Sequence, residues 1–434
     1  MGETMTSTDA TGPWHALWSA LHGASPDGWR QRSANALEQL HALGLPTRGH
    51  ELYKYLSLRA LTPAALRPAS AALQSEAQPG PDSLTALFLR RLGTPTEGGA
   101  ATDGLPQGVR FLAAPDEALS AAEEAGFALS DHTPEDGLRA LRGAMAAPPT
   151  FLSLARDTSV TTPILLRQGH HFAHDAQAVL RAPTLFVHVA RGASLTLVSL
   201  SEEGPNNVVL PSAEVILEEG ATLRWLQVQQ DDLTTRRYAR TRVLLRRDAH
   251  LEHTQLCVGA KTYRHDLAIM LDAPGAEAHV RSLSLLRGQQ QADHSTLLDH
   301  RVAQGTTSQD FRAIVDERAH SVFHGRIIVH PQAQKTSAEQ LNKNLQLSPD
   351  ARVDTRPQLE IFADDVKCAH GATLGRLQTQ ELFYLTSRGL HPDQASALLV
   401  RAFGAEVLES FSHEQVREVA LEALSHLLGL QPRG

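Results

Sequence analysis

Cys368-Ala-His370 is the side-chain pair in this sequence best suited to chemistry. On an extended strand, residues i and i+2 share a face and lie ~7 Å apart. A soft thiolate and an imidazole on one face suit iron, zinc or a nascent cluster. A buried structural cysteine beside an unrelated histidine is the plainer reading of the same residues. An iron–sulfur cluster takes about four protein ligands, and one thiol is on offer here. Cys257, the only other cysteine, alternates into the apolar side of LEHTQLCVG and reads as inward-facing core. A cluster at Cys368 would therefore need ligands from another chain.

The remaining candidates are weaker. His170, His171 and His174, with Asp175 beside them, could hold a metal, but an exposed loop is the better reading of them. His250, His253, His279 and His294 read as outward-facing strand positions. Asp364-Asp365 is the obvious carboxylate pair for a glycoside-cleaving enzyme, the alternative function for such a chain. Neighbours on a strand point to opposite faces, so a solvated corner explains the pair better. Gly259-Ala-Lys261-Thr262 lacks the glycines of a phosphate-binding loop. The chain is thus not expected to hydrolyse ATP by itself. Gly-x-Ser-x-Gly, His-Glu-x-x-His and Cys-x-x-Cys patterns are all missing.

A chain of 434 residues can build one large core or several smaller units. Its net charge of −8 argues against a general nucleic-acid or anionic-membrane binder. Two cysteines fit a reducing compartment. The start, MGETMTSTDATG, lacks the basic and apolar parts of a signal peptide, and no apolar run approaches a bilayer span. A soluble cytoplasmic protein is the expectation.

The elements that must position the pair follow from periodicity. Up to about Leu66 the pattern is helical, with Trp14, Leu17, Trp18 and Leu21, then Ala36, Leu37, Leu40 and Leu43 before a Gly44 stop. Stretches 62–81 and 93–106, rich in Pro, Gly, Ala and Ser, read as linkers around a short helix at 84–92. From Phe151 alternating aliphatic runs take over. Gly192-Ala-Ser-Leu recurs as Gly220-Ala-Thr-Leu, Asp248-Ala-His-Leu and Gly275-Ala-Glu-Ala, in steps of 28, 28 and 27 residues. A Gly or Asp tolerates the left-handed backbone of a tight corner, and a small Ala suits close stacking. The constant step favours stacked coils of parallel strand over a β-sandwich. Asp350-Ala-Arg looks like a later echo. After Gly375 three short helices are expected: one capped by Thr379, one opened by His391-Pro392, and one opened by a Ser412-x-x-Gln415 capping box. The expected organisation is a helical and mixed region at 1–150, a parallel β-helix at 151–375 and a helical region at 376–434.

The segment from Gly325 to Leu377, GRIIVHPQAQKTSAEQLNKNLQLSPDARVDTRPQLEIFADDVKCAHGATLGRL, resembles the SufB/SufD family of iron–sulfur cluster assembly proteins. Phe383–Leu390 (FYLTSRGL) and Leu45–Tyr55 (LPTRGHELYKY) continue the resemblance, with Tyr53 where the family usually has tryptophan. The SufB branch would carry Glu-His-Glu at Ala369-His370-Gly371 and a cysteine within Phe383–Gly389, so the SufD branch is the closer one. The resemblance implies a mainly β fold, a right-handed parallel β-helix between N-terminal and C-terminal helical regions. It implies pairing with SufB through the final strands, the SufC ATPase on the C-terminal helices, and a homodimer when SufB is absent. It also implies that Cys368 and His370 contribute to an iron or cluster site shared with SufB, with no cofactor held stably by the isolated chain. Leu359, Ile361 and Phe362, within an edge strand expected at Gln358–Lys367, are the candidate interface.

Overall fold

The structure, a computed structural model, describes residues 13–69, 83–92, 105–127, 136–169 and 178–430, with the backbone of short strands at 74–75, 96–97 and 171–172. His170, His171 and His174, weighed above as a loop or a metal site, lie outside the described residues, apart from the backbone of His171.

From Thr150 to Gly375 the chain winds into a parallel β-solenoid of about 7 turns. Each coil gives one strand to each of two sheets. The first sheet runs from Thr150–Leu154 to His320–Val329 and Arg352–Ile361; the second runs from Ile164–Gln168 to Ser337–Gln346 and Lys367–Gly375. Alternation determines what faces inward. In the second sheet Leu195, Leu223, Leu251, Ala278, Thr307 and Ala338 are register partners from coil to coil, and all are buried.

The anticipated corners are left-handed. Gly192, Gly220, Asp248 and Gly275 have φ of 67°, 66°, 54° and 74°. The series continues at Gln304 and Lys335, with φ of 65° and 61°, two residue types that give no corner signal. Asp350 is not the next member. It precedes Arg352–Ile361 in the first sheet and so occupies the opposite corner of the coil.

The two ends of the solenoid differ. At the N-terminal end, Val109–Leu112 pairs antiparallel with Thr150–Leu154, and Thr96–Glu97 pairs with Ile164–Gln168. At the C-terminal end, no strand among the described residues pairs with the outer edge of Arg352–Ile361 or Lys367–Gly375.

Eight α-helices are described: α1 (Pro13–His22), α2 (Asp27–Leu43), α3 (Leu84–Leu92), α4 (Pro115–Glu124), α5 (Gly137–Met145), α6 (Thr379–Ser387), α7 (Pro392–Glu409) and α8 (Glu414–Leu427). Gly44 ends α2 with φ 63°, its amide donating to the Leu40 carbonyl. Helices α1, α2 and α5 and the segment Tyr53–Leu61 pack over Leu180, Val208 and Tyr238 of the solenoid. A buried charge clasp fastens them. Arg264 donates to Asp266 and Asp293 at 2.8 Å each and to the Leu52 carbonyl at 3.1 Å, under the Tyr53 ring. Arg142 of α5 reaches the other oxygen of Asp266 at 3.3 Å.

Helices α3, α7 and α8 cover Leu226, Val228, Leu256 and Leu283 on the outer face of the second sheet. His391 caps α7 with Pro392 in its first turn, as expected. Thr379 does not cap α6: Gln378 holds that position without a side-chain bond. The expected Ser412 box also fails, because the Ser412 hydroxyl is committed to Arg224 and Glu252 and His413 caps α8 instead. No helix among the described residues is long and apolar enough to cross a membrane.

Candidate functional site

Cys368 and His370 lie on the final strand, Lys367–Gly375, in register with Ala338 and Gln340. Ala338 and Gln340 are fully buried while Glu339 between them is exposed, so Cys368 and His370 continue interior columns and Ala369 an exterior one. The expected shared face is present. Cys368 is half-buried against the solenoid core. Burial pushes its thiol above the ordinary value, opposed by a hydrogen bond with the Ala338 backbone. His370 is exposed at the mouth.

The edge itself differs from expectation. Residues 362–366 are a corner, so no single strand covers Gln358–Lys367. The two edge strands are Arg352–Ile361, which includes Pro357, and Lys367–Gly375, so the pair sits on an edge rather than after one. Proline lacks an amide donor and is tolerated there because an edge leaves donors unused. Leu359 packs against the core, whereas Ile361 and Phe362 are 39% and 61% exposed. Asp364 and Asp365 occupy the exposed corner, where the Asp365 backbone bonds Lys335 and the Gln334 side chain.

Behind the mouth the interior is polar. The column that ends in His370 reads Trp225, His253, Val280, Gln309 and Gln340. His253 and His294, expected to face outward, are inside, 1% and 5% exposed. Nε2 of His253 is 2.8 Å from Gln227 Oε1, and Nε2 of His294 is 3.0 Å from the Ser284 hydroxyl. Hydrogen-bonding side chains on both sheets make histidine acceptable there, which alternation alone could not reveal. Burial lowers both imidazoles to about 3. Cys257 is buried as expected, and desolvation pushes its thiol up to about 11.

Two further features carried no sequence signal. The Gln340 amide, one rung behind His370, is fully buried and makes no hydrogen bond among the described residues. Helix α6 buries none of its residues and leaves Phe383 and Tyr384 73% and 58% exposed.

This arrangement defines a parallel β-solenoid protein with one thiol and one imidazole on the open edge strand of its C-terminal end. Residues 172–403 match the family described as SUF system FeS cluster assembly, SufBD core domain. The chain belongs to the SufBD family of iron–sulfur cluster assembly proteins. It is 27% identical to the iron–sulfur cluster assembly protein SufD of Escherichia coli over 97% of each chain. It is 39% identical to a SufBD family protein of Synechocystis over 47% of this chain, a match spanning 44% of that relative. It is 30% identical to the chloroplastic protein ABCI7 of Arabidopsis thaliana over 75% of this chain and 70% of the relative.

Proposed function

We propose that this chain is a non-enzymatic, cytoplasmic scaffold for iron–sulfur cluster assembly whose site is finished by a partner. The supporting observation is the open last coil, with Cys368 and His370 facing inward on an edge strand. Unpaired amides and carbonyls there can accept another strand, and a second solenoid of the same family, SufB, supplies one of matching spacing. A second copy of this chain can use the same edge when SufB is absent. One thiol and one imidazole cannot hold a cluster alone, so cluster or iron is cargo held in transit with the partner's ligands. Exposed Phe383 and Tyr384 on α6 suit a second docking surface, for the SufC ATPase, within a C-terminal unit of residues 376–434. The solenoid unit would be 151–375 and the N-terminal unit 1–150.

The test is co-expression with SufB and SufC, reading complex formation by gel filtration and cluster by visible absorption. Cys368→Ala and His370→Ala should keep the complex and lower the cluster yield. A lysine at Phe362 should break the SufB pairing, and Phe383→Ala with Tyr384→Ala should release SufC alone. Undiminished cluster in both site variants would remove them from the site. Intact SufB pairing in Phe362→Lys and in Ile361→Lys would remove the edge.

A further inference from the structure

His250, Glu277 and His279 stand together on the outer face of the second sheet, several strands away from Cys368. His250 and Glu277 are register partners on adjacent strands, and His279 follows two residues later on the same face. Nδ1 of His250 is 3.0 Å from one Glu277 oxygen, and Nε2 of His279 is 3.1 Å from the other. The three donor atoms all lie within 4.8 Å of one another. Metal–ligand bonds of ~2.1 Å give polyhedron edges of about 2.9–3.4 Å, and each imidazole already stands at such a distance from one of the two carboxylate oxygens. The side chains are 36%, 40% and 26% exposed, which leaves room for the two imidazoles to close on one ion and keeps solvent positions open.

We propose that His250, Glu277 and His279 form a binding site for a divalent first-row transition ion. Two imidazoles and a carboxylate on one face, with positions left for water, suit ions of borderline softness such as Zn2+, Co2+ and Fe2+. The surroundings fit. The Ser308 hydroxyl is 2.7 Å from Nδ1 of His279. Without metal, Nε2–H of neutral His279 donates to Glu277 and Nδ1 accepts from Ser308. With metal, Nε2 gives up its proton and Nδ1–H donates to Ser308, because a hydroxyl serves both roles. Arg281, the nearby cation, is matched by Glu252 at 3.1 Å. All three ligands stand on strand positions whose backbones are fixed by the ladder, which holds a site more closely than loops do.

The experiment uses the full chain without a histidine tag, stripped with chelator, then titrated with Co2+ by visible spectroscopy and with Zn2+ by calorimetry. One ion per chain is expected. His250→Ala, Glu277→Gln and His279→Ala should each weaken it at least about tenfold, and Ser308→Ala should weaken it less. The double variant Cys368→Ala/His370→Ala should bind like wild type, which separates this site from the one at the mouth. His279→Cys should add a thiolate-to-cobalt charge-transfer band, which reports ligation directly if an alanine variant fails to fold. Absence of that band, no binding by wild type, or unchanged binding in the three ligand variants overturns the proposal. So does loss of the ion in the Cys368/His370 double variant.

Discussion

Cys368 and Cys257 differ in environment more than in chemistry, and the difference is measurable. Both thiols are raised by burial, but Cys257 is fully enclosed and reaches about 11, while Cys368 is half-buried at the mouth. Alkylation proceeds through the thiolate and needs access. Native protein at neutral pH should therefore take one iodoacetamide label, at Cys368 and more slowly than a free thiol, with Cys257 labelled only on unfolding. Peptide mass spectrometry decides it, and early labelling of Cys257 would show that the solenoid opens there. The Cys368/His370 face was legible because period-2 alternation needs no partner to state it. Gln340 was not, because a glutamine thirty residues upstream becomes a neighbour of His370 only once the coil length is fixed. His253 and His294 were misplaced for a related reason. Alternation gives the two faces of a strand, and a polar interior removes the composition difference that would say which face is inside.

The coils turn at corners whose backbone is left-handed. Four of them announced the repeat because Gly and Asp are at ease with positive φ, and the series then went silent at Gln304 and Lys335. Those residues hold the same backbone without that tolerance, so stacking between coils must impose it. What a glycine protects then depends on what its neighbour coil places beside it. At Gly220, φ is 66° and an added methyl would meet nothing closer than 3.9 Å. Gly220→Ala should cost only the backbone strain, ~1–2 kcal/mol. At Gly259, φ is 83° and the methyl would fall 2.0 Å from the Asp231 carbonyl oxygen, which belongs to the ladder and cannot swing aside. Gly259→Ala should cost clearly more, about 3 kcal/mol or above, as backbone of two coils is forced apart. Urea unfolding of both variants checks this, and equal losses would mean that coil spacing is soft. The helix caps show the opposite balance. Thr379 and Ser412 look like caps locally, yet Ser412 is claimed by Glu252 and Arg224 of the solenoid, a tertiary contact that no local pattern contains.

At the scale of the whole molecule, a solenoid with imidazoles in its core should be sensitive to mild acid. Burial holds His253 and His294 at about 3 and His300 at about 4, and drives His265 well below its ordinary value. In the unfolded chain each titrates near ~6.5. Below that pH the unfolded state binds protons that the folded state refuses, so stability falls as pH drops from ~6.5 toward the folded values. The slope is ~1.4 kcal/mol per pH unit for each histidine that stays neutral. Asp266 contributes in the same direction but later. Its carboxyl is held low by Arg264 and Arg142 against the cost of burial, so its stabilisation is lost only below the ordinary carboxylate range. On the alkaline side Cys257 acts in reverse, because the unfolded thiol ionises near ~8.5 while the folded one waits until about 11. Stability should therefore be greatest between ~6.5 and ~8.5 and fall on both sides, the acid limb steeper because several histidines share it. Urea midpoints measured from pH 4.5 to 9.5, on the order of one reading per half unit, trace this curve. His294→Gln, which can keep the bond to Ser284, should flatten the acid limb by about one histidine's slope. A wild-type midpoint unchanged between pH 7.5 and pH 5, or an acid limb that His294→Gln leaves as steep as before, would show that these imidazoles protonate without unfolding the coil around them.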